Sequence, residues 1–88
     1  MKTIHSTPYQ RLLALLVEAR KAAQMTQRDL SERLGRPQSY VSKYERGERR
    51  LDVIEFMEIA RYLRADPYHM LREIDPELGD GASQGLNS

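Results

Sequence analysis

Helix-start signals recur along this chain at short intervals, and they leave room only for a set of short helices. Thr7-Pro8-Tyr9-Gln10 places a capping threonine before a proline at the first helical position and a glutamine at the third. Thr26-Gln27-Arg28-Asp29 is a weaker box closed by aspartate, with Met25 and Leu30 set as a hydrophobic staple. Asp52-Val53-Ile54-Glu55 repeats the arrangement, with Leu51 against Phe56. Asp66-Pro67 opens a last helix, and Asp75-Pro76 stops it. No segment alternates with period two over the length of a strand. The chain therefore reads as all-α, a compact domain of five helices.

Apolar residues keep helical spacing inside each segment. Leu30 and Leu34 are one turn apart, Val41 and Tyr44 share one side, and Phe56, Ile59, Ala60 and Leu63 form an inner stripe. At 88 residues the chain holds one small domain. We place it over residues 8–75, with 76–88, rich in glycine and small polar residues, as a disordered tail. The longest apolar run, Leu12 to Val17, is far short of the roughly 20 residues that span a bilayer, so no membrane partner is expected. The chain has no cysteine, which excludes a thiolate metal site and fits a cytoplasmic location. His5 and His69 lack metal-ligand spacing, and no local signature supports catalysis. Neither an enzyme nor a cofactor is expected.

A net charge of +1 conceals an asymmetry. Residues 20–50 hold nine Lys and Arg against four acids, net +5, whereas residues 51–88 hold three Arg against eight acids, net −5. Such a division suits oriented contact with a polyanion. Within the basic half, Gly35-Arg36-Pro37 separates two short helices: glycine ends the second and proline presets the start of the third. This is the signature of a helix-turn-helix unit, whose second member enters the DNA major groove. On a helix beginning at Pro37, residues 37, 44 and 45 fall within about 60° of Val41 and face inward. Ser39, Ser42, Lys43 and Arg46 then face outward, with Tyr40 at one edge and Gln38 near the N-terminal end. Glutamine pairs with adenine, lysine reads guanine acceptors, and serine adapts to donor or acceptor.

The stretch MTQRDLSERLGRPQSYVSKYERGERRLDVIEFMEIARYL resembles the lambda-repressor-like (Cro/C1-type) helix-turn-helix domains of the Xre family of bacterial and phage regulators. The likeness covers residues 12–71, and its most specific parts are Thr26-Gln27 with Leu30 and the closing Tyr44-Glu45-Arg46-Gly47. The resemblance implies major-groove recognition by the third helix, often as a dimer on a palindromic operator. It assigns base reading to Gln38, Ser39, Tyr40, Ser42 and Lys43, and it makes Gln27 a phosphate clamp that also braces the start of the third helix. Arg46 matches a phosphate contact, and Arg36, Arg49 and Arg50 join it on charge and position. Arg20 and Glu45 match a buried ion pair. Ser31 stands where a small alanine packs, a change expected to loosen the second helix slightly against the third. Arg64 stands where a glycine commonly follows the fourth helix, which leaves the left-handed cap there open.

The function expected is a sequence-specific transcriptional regulator, a repressor, on double-stranded DNA. An antitoxin-type module that also autoregulates, with a toxin or RNA polymerase as protein partner, is the alternative, as is a restriction–modification controller. A homodimer is expected through Leu12, Leu15, Tyr68, Met70 and Ile74, with Leu71 turned to the core.

Overall fold

The computed structural model describes residues 7–78. They form α1 (Pro8–Ala22), α2 (Gln27–Arg33), α3 (Tyr40–Glu45), α4 (Val53–Leu63) and α5 (Pro67–Ile74), followed by a 3-10 turn, Asp75–Leu78. Pro76 does not end the chain's helical path but tightens it into this turn, so the tail expected from residue 76 has an ordered beginning. Residues 79–88 and His5 lie outside the described residues.

Each start signal closes as its side chains dictate. The Thr7 hydroxyl accepts from the Gln10 amide at 3.1 Å. Thr26 and Asp29 exchange both bonds of a capping box, as do Asp52 and Glu55. The Asp66 carboxylate accepts from the amides of Tyr68 and His69. The helix ends share one device. At each of α1 to α4 a residue with positive φ lets two amides turn back onto the last-turn carbonyls: Gln24, Gly35, Gly47 and Arg64, at φ 60°, 70°, 78° and 57°. After α4, for example, Arg64 donates to the Arg61 carbonyl at 3.1 Å and Ala65 to that of Ala60 at 2.9 Å. The left-handed cap left open in the sequence is thus adopted by the arginine itself.

α1 lies at the centre. Its Leu12, Leu13 and Leu16 pack with Leu30, Tyr40, Val41, Tyr44, Phe56, Ile59, Leu63 and Met70 in a single core. Two dimer expectations are corrected here. Leu12 (8% exposed) and Met70 (5%) belong to this core, because α5 closes over α1 with Met70 inward. Leu71, expected to be core, is instead 41% exposed. Leu15 and Ile74 are half-buried at the edge of the core, and Tyr68 is exposed.

A buried ion pair ties the helices together. Arg20 of α1 donates from Nε to Glu45 Oε2 at 2.7 Å and from Nη2 to Oε1 at 3.2 Å. Its Nη1 reaches the Met25 carbonyl at 2.8 Å. The Gln27 amide, opening α2, donates to Glu45 Oε1 at 2.8 Å. The two charged side chains are only 11% and 6% exposed, so the position of α3 is set by groups that water cannot replace.

Removing one partner of such a pair costs about 3–5 kcal/mol, because the other charge stays desolvated. Arg20→Met is therefore expected to lower stability by that amount in urea unfolding; an unchanged midpoint would show the pair contributes nothing. After α4, Arg64→Gly removes the Cβ clash of the left-handed region, which costs roughly 1 kcal/mol in a non-glycine residue. Glycine's larger unfolded-state entropy offsets part of the gain. A rise in melting temperature is expected, and a fall would mean the arginine side chain contributes contacts that outweigh the strain.

Candidate nucleic-acid interface

Between α2 and α3 the chain turns within six residues. Gly35 takes the left-handed conformation, and a Cβ built there would meet nothing within 4 Å, so the glycine serves backbone geometry rather than close packing. The turn is locked from below by Ser31. Its carbonyl accepts from the Arg36 amide at 3.0 Å, and its fully buried hydroxyl accepts from the Val41 amide at 3.2 Å. Ser39, the residue before α3, makes no capping bond with its side chain. Ser31 supplies from α2 a partner for an amide in the first turn of α3 that would otherwise be unpaired. The loosening expected from serine at this position is corrected: the hydroxyl adds a bond between the two helices.

Pro37 accepts at its carbonyl from the Tyr40 amide at 2.9 Å, and this turn delays the start of α3 to Tyr40. Gln38 and Ser39 therefore stand in a turn ahead of the helix, both exposed, instead of on its first coil. The shift also overturns the expectation for Tyr40. It is 6% exposed, set edge-on against Tyr44 with ring centroids 5.7 Å apart. The guanidinium groups of Arg36 and Arg49 each lie 4.9 Å from its ring centre. A side chain so enclosed cannot reach a base edge. Burial, ahead of the nearby Glu55 charge, holds its phenol above the usual range. The Tyr44 phenol is raised further by the same cause.

Three of the other residues expected to read bases, Gln38, Ser39 and Ser42, converge. Gln27, Arg28, Gln38, Ser39 and Ser42 line a shallow open concavity of about 460 Å³. Gln38 is satisfied with its amide oxygen toward Arg28, accepting from Nη2 at 3.0 Å and Nε at 3.3 Å. It is thus braced by Arg28, a residue the sequence reading passed over, while the Gln27 amide is occupied by Glu45. The Ser42 hydroxyl donates to the Ser39 carbonyl at 3.1 Å, which keeps that side chain low on the helix. Lys43 is exposed one residue further on.

The basic loop that follows α3 is fixed by α1. The Leu51 amide donates to the Tyr9 hydroxyl at 3.0 Å, and the Arg50 guanidinium lies 4.5 Å from the centre of the Tyr9 ring. Four arginines expected at phosphates meet acids or rings within the protein. Arg46 pairs with Glu48 through two bonds of 2.9 and 3.0 Å. Arg49 pairs with Glu55 at 2.8 and 3.1 Å, and Arg36 reaches Glu58 at 3.3 Å. Hydrogen bonds from Arg46 and Arg49 hold the carboxyls of Glu48 and Glu55, respectively, below the ordinary carboxylate range. The sequence signalled Glu48 only as an interruption in a basic segment and Glu55 only as a capping residue. Tyr9 carried no separate signal beyond its place in a helix start.

Among the described residues no group of three or more His, Cys, Asp or Glu could hold a metal ion, and no helix is long and apolar enough to cross a membrane. The interface is a cationic and amide-bearing surface built on the second and third helices of a five-helix domain. The helix-turn-helix family model matches residues 16–69. An XRE-family like protein from Pseudomonas syringae pv. tomato str. DC3000, of known structure, is similar to this chain at 56% identity. The similarity covers 89% of this chain and 98% of that one, with a TM-score of 0.77. No curated protein sequence matches significantly. With the matched segment spanning α2, α3 and the turn between them, the chain belongs to the Xre family of helix-turn-helix DNA-binding transcriptional regulators.

Proposed function

We propose that the protein is a sequence-specific repressor that sets the start of α3 into the major groove of a palindromic operator. The observation that carries this reading is the convergence of Gln38, Ser39 and Ser42 on one open concavity beside exposed Lys43, all short or flexible hydrogen-bonding groups. Gln38 and Lys43 read base edges, with Ser39 and Ser42 completing the pattern. Gln27, Arg28, Arg46 and Arg50 hold phosphates on either side, with Arg49 and Arg36 behind them.

Lys43→Ala and Gln38→Ala are expected to lose preference for the operator while keeping much of the salt-sensitive binding to any DNA, since each good base pairing is worth about 1–3 kcal/mol of discrimination. Arg46→Ala should weaken binding to all sequences alike and make the slope of log K against log salt shallower by up to about one unit. Selection from a random DNA pool supplies the operator, and fluorescence anisotropy supplies the affinities. Unchanged base preference in both Lys43 and Gln38 variants would move the reading surface elsewhere.

A twofold dimer doubles the base contacts on half-sites one DNA turn apart. With Leu12 and Met70 in the core, the apolar side chains that α5 and the turn after it leave for a second copy are Tyr68, Leu71 and Leu78, which are 59%, 41% and 55% exposed, with Ile74 half-buried beside them; Val53 and Ile54 at the start of α4 are exposed as well. Sedimentation at micromolar concentration should give twice the 10.2 kDa chain mass, and Leu71→Glu should return the monomer with its helical content intact. A monomer at every concentration, with and without DNA, would refute the dimer.

A further inference from the structure

Glu48 is the acid in this surface with the least structural work. Glu45 is buried in the α1–α3 pair, and Glu55 closes the capping box of α4. Glu48 is 54% exposed in its side chain, and among the described residues its carboxylate bonds only to Arg46. Its placement is nevertheless fixed. The end of α3 brings the Gly47 amide to the Tyr44 carbonyl at 3.0 Å and the Glu48 amide to the Lys43 carbonyl at 2.9 Å. This backbone fold holds the Glu48 side chain beside Arg46, two residues away, and within electrostatic reach of Lys43.

The geometry on Arg46 is two-pronged: Nε to Oε2 at 2.9 Å and Nη2 to Oε1 at 3.0 Å. A phosphate presents two oxygens to a guanidinium fork in the same manner. One face of the guanidinium fork cannot serve both anions at full strength. We propose that Glu48 is an internal competitor for DNA phosphate, occupying on Arg46 the position a backbone phosphate takes in the complex, and that it thereby sets the protein's general affinity for DNA. This rests on Arg46 being a phosphate contact, as in the function proposed above. Nucleic-acid binding then involves an exchange of partners: the Arg46–Glu48 bonds break, phosphate replaces the carboxylate, and Glu48 is left as an uncompensated negative charge facing the duplex.

The size of the effect follows from exposure. Surface pairs of this kind shift an equilibrium by at most about fivefold and are screened by salt. Glu48→Gln keeps the size of the side chain and removes its charge, and no core contact depends on it. The variant should bind non-operator duplex about two- to fivefold more tightly than wild type at low salt, with a steeper salt dependence and an unchanged melting temperature.

Any acid near DNA repels it at a distance, so the decisive comparison is a double-mutant cycle. In an Arg46→Ala background the competitor has nothing to occupy, and Glu48→Gln should then change affinity by less than about half as much, the remainder coming from Lys43. The experiment is anisotropy of a labelled duplex of random sequence with four proteins: wild type, each single variant and the double variant. An equal gain in both backgrounds, or no gain in either, would overturn the proposal while leaving DNA binding by wild type intact. Failure of wild type itself to bind the duplex would instead overturn the DNA reading, and this inference with it.

Discussion

One carboxylate organises the molecule. Glu45 sits at the end of α3 with 6% of its side chain exposed, and it is met by Arg20 from α1 and by Gln27 from α2. A buried charge is tolerated only when its oxygens are fully engaged, so these partners must all be in place together. The same Arg20 reaches the Met25 carbonyl, which fixes the link from α1 to α2. With Glu45 anchored, Tyr44 and Val41 point into the core and the opposite side of α3 is left outward. The orientation of the proposed reading surface is therefore a consequence of one desolvated ion pair, with Ser31 pinning the other end of the same short helix.

That surface is also electrically self-restrained. The segment with net charge +5 is laced to acids at several points, through Arg46 to Glu48, Arg49 to Glu55 and Arg36 to Glu58. Two of these arginines additionally flank the Tyr40 ring, so they pack as well as attract. A strongly basic patch with no internal partners would bind any polyanion indiscriminately. Placing carboxylates on the same loop and on α4 lets the domain carry many cations while its net charge stays at +1.

Helix starts were legible in the sequence because capping is local: threonine or aspartate with a partner three residues on needs nothing from the rest of the fold. Helix ends were half legible. Gly35 and Gly47 announce their positive φ, whereas Gln24 and Arg64 adopt it without a compositional signal, held there by the amides turned back on the last carbonyls. The inward stripe of α4 and the phase of α3 about Val41 were legible in the sequence, but the start of α3 was placed three residues too early. A turn at Pro37–Tyr40 precedes the helix, and proline at a helix start looks the same as proline at the start of a turn. Tyr40, at the edge of the helical wheel, could face either way from the pattern alone, and two arginines from other segments enclose it in the protein. The apolar residues of α1 and α5 posed a different difficulty. Periodicity marks Met70 and Leu71 as equally apolar neighbours, and only the packing of α5 on α1 decides which is inside. The Gln38–Arg28 and Leu51–Tyr9 contacts join separate segments, and no pattern within one segment reveals them.

The most direct measurement of the central claim is amide chemical-shift mapping of the labelled protein titrated with a duplex chosen from a random pool. The account predicts the largest changes at Gln27 and Arg28, from Gln38 through Lys43, and along the loop from Arg46 to Leu51, with α4 beyond its first turn little affected. Changes concentrated instead on α4 and α5, with residues 38–43 unmoved, would contradict it.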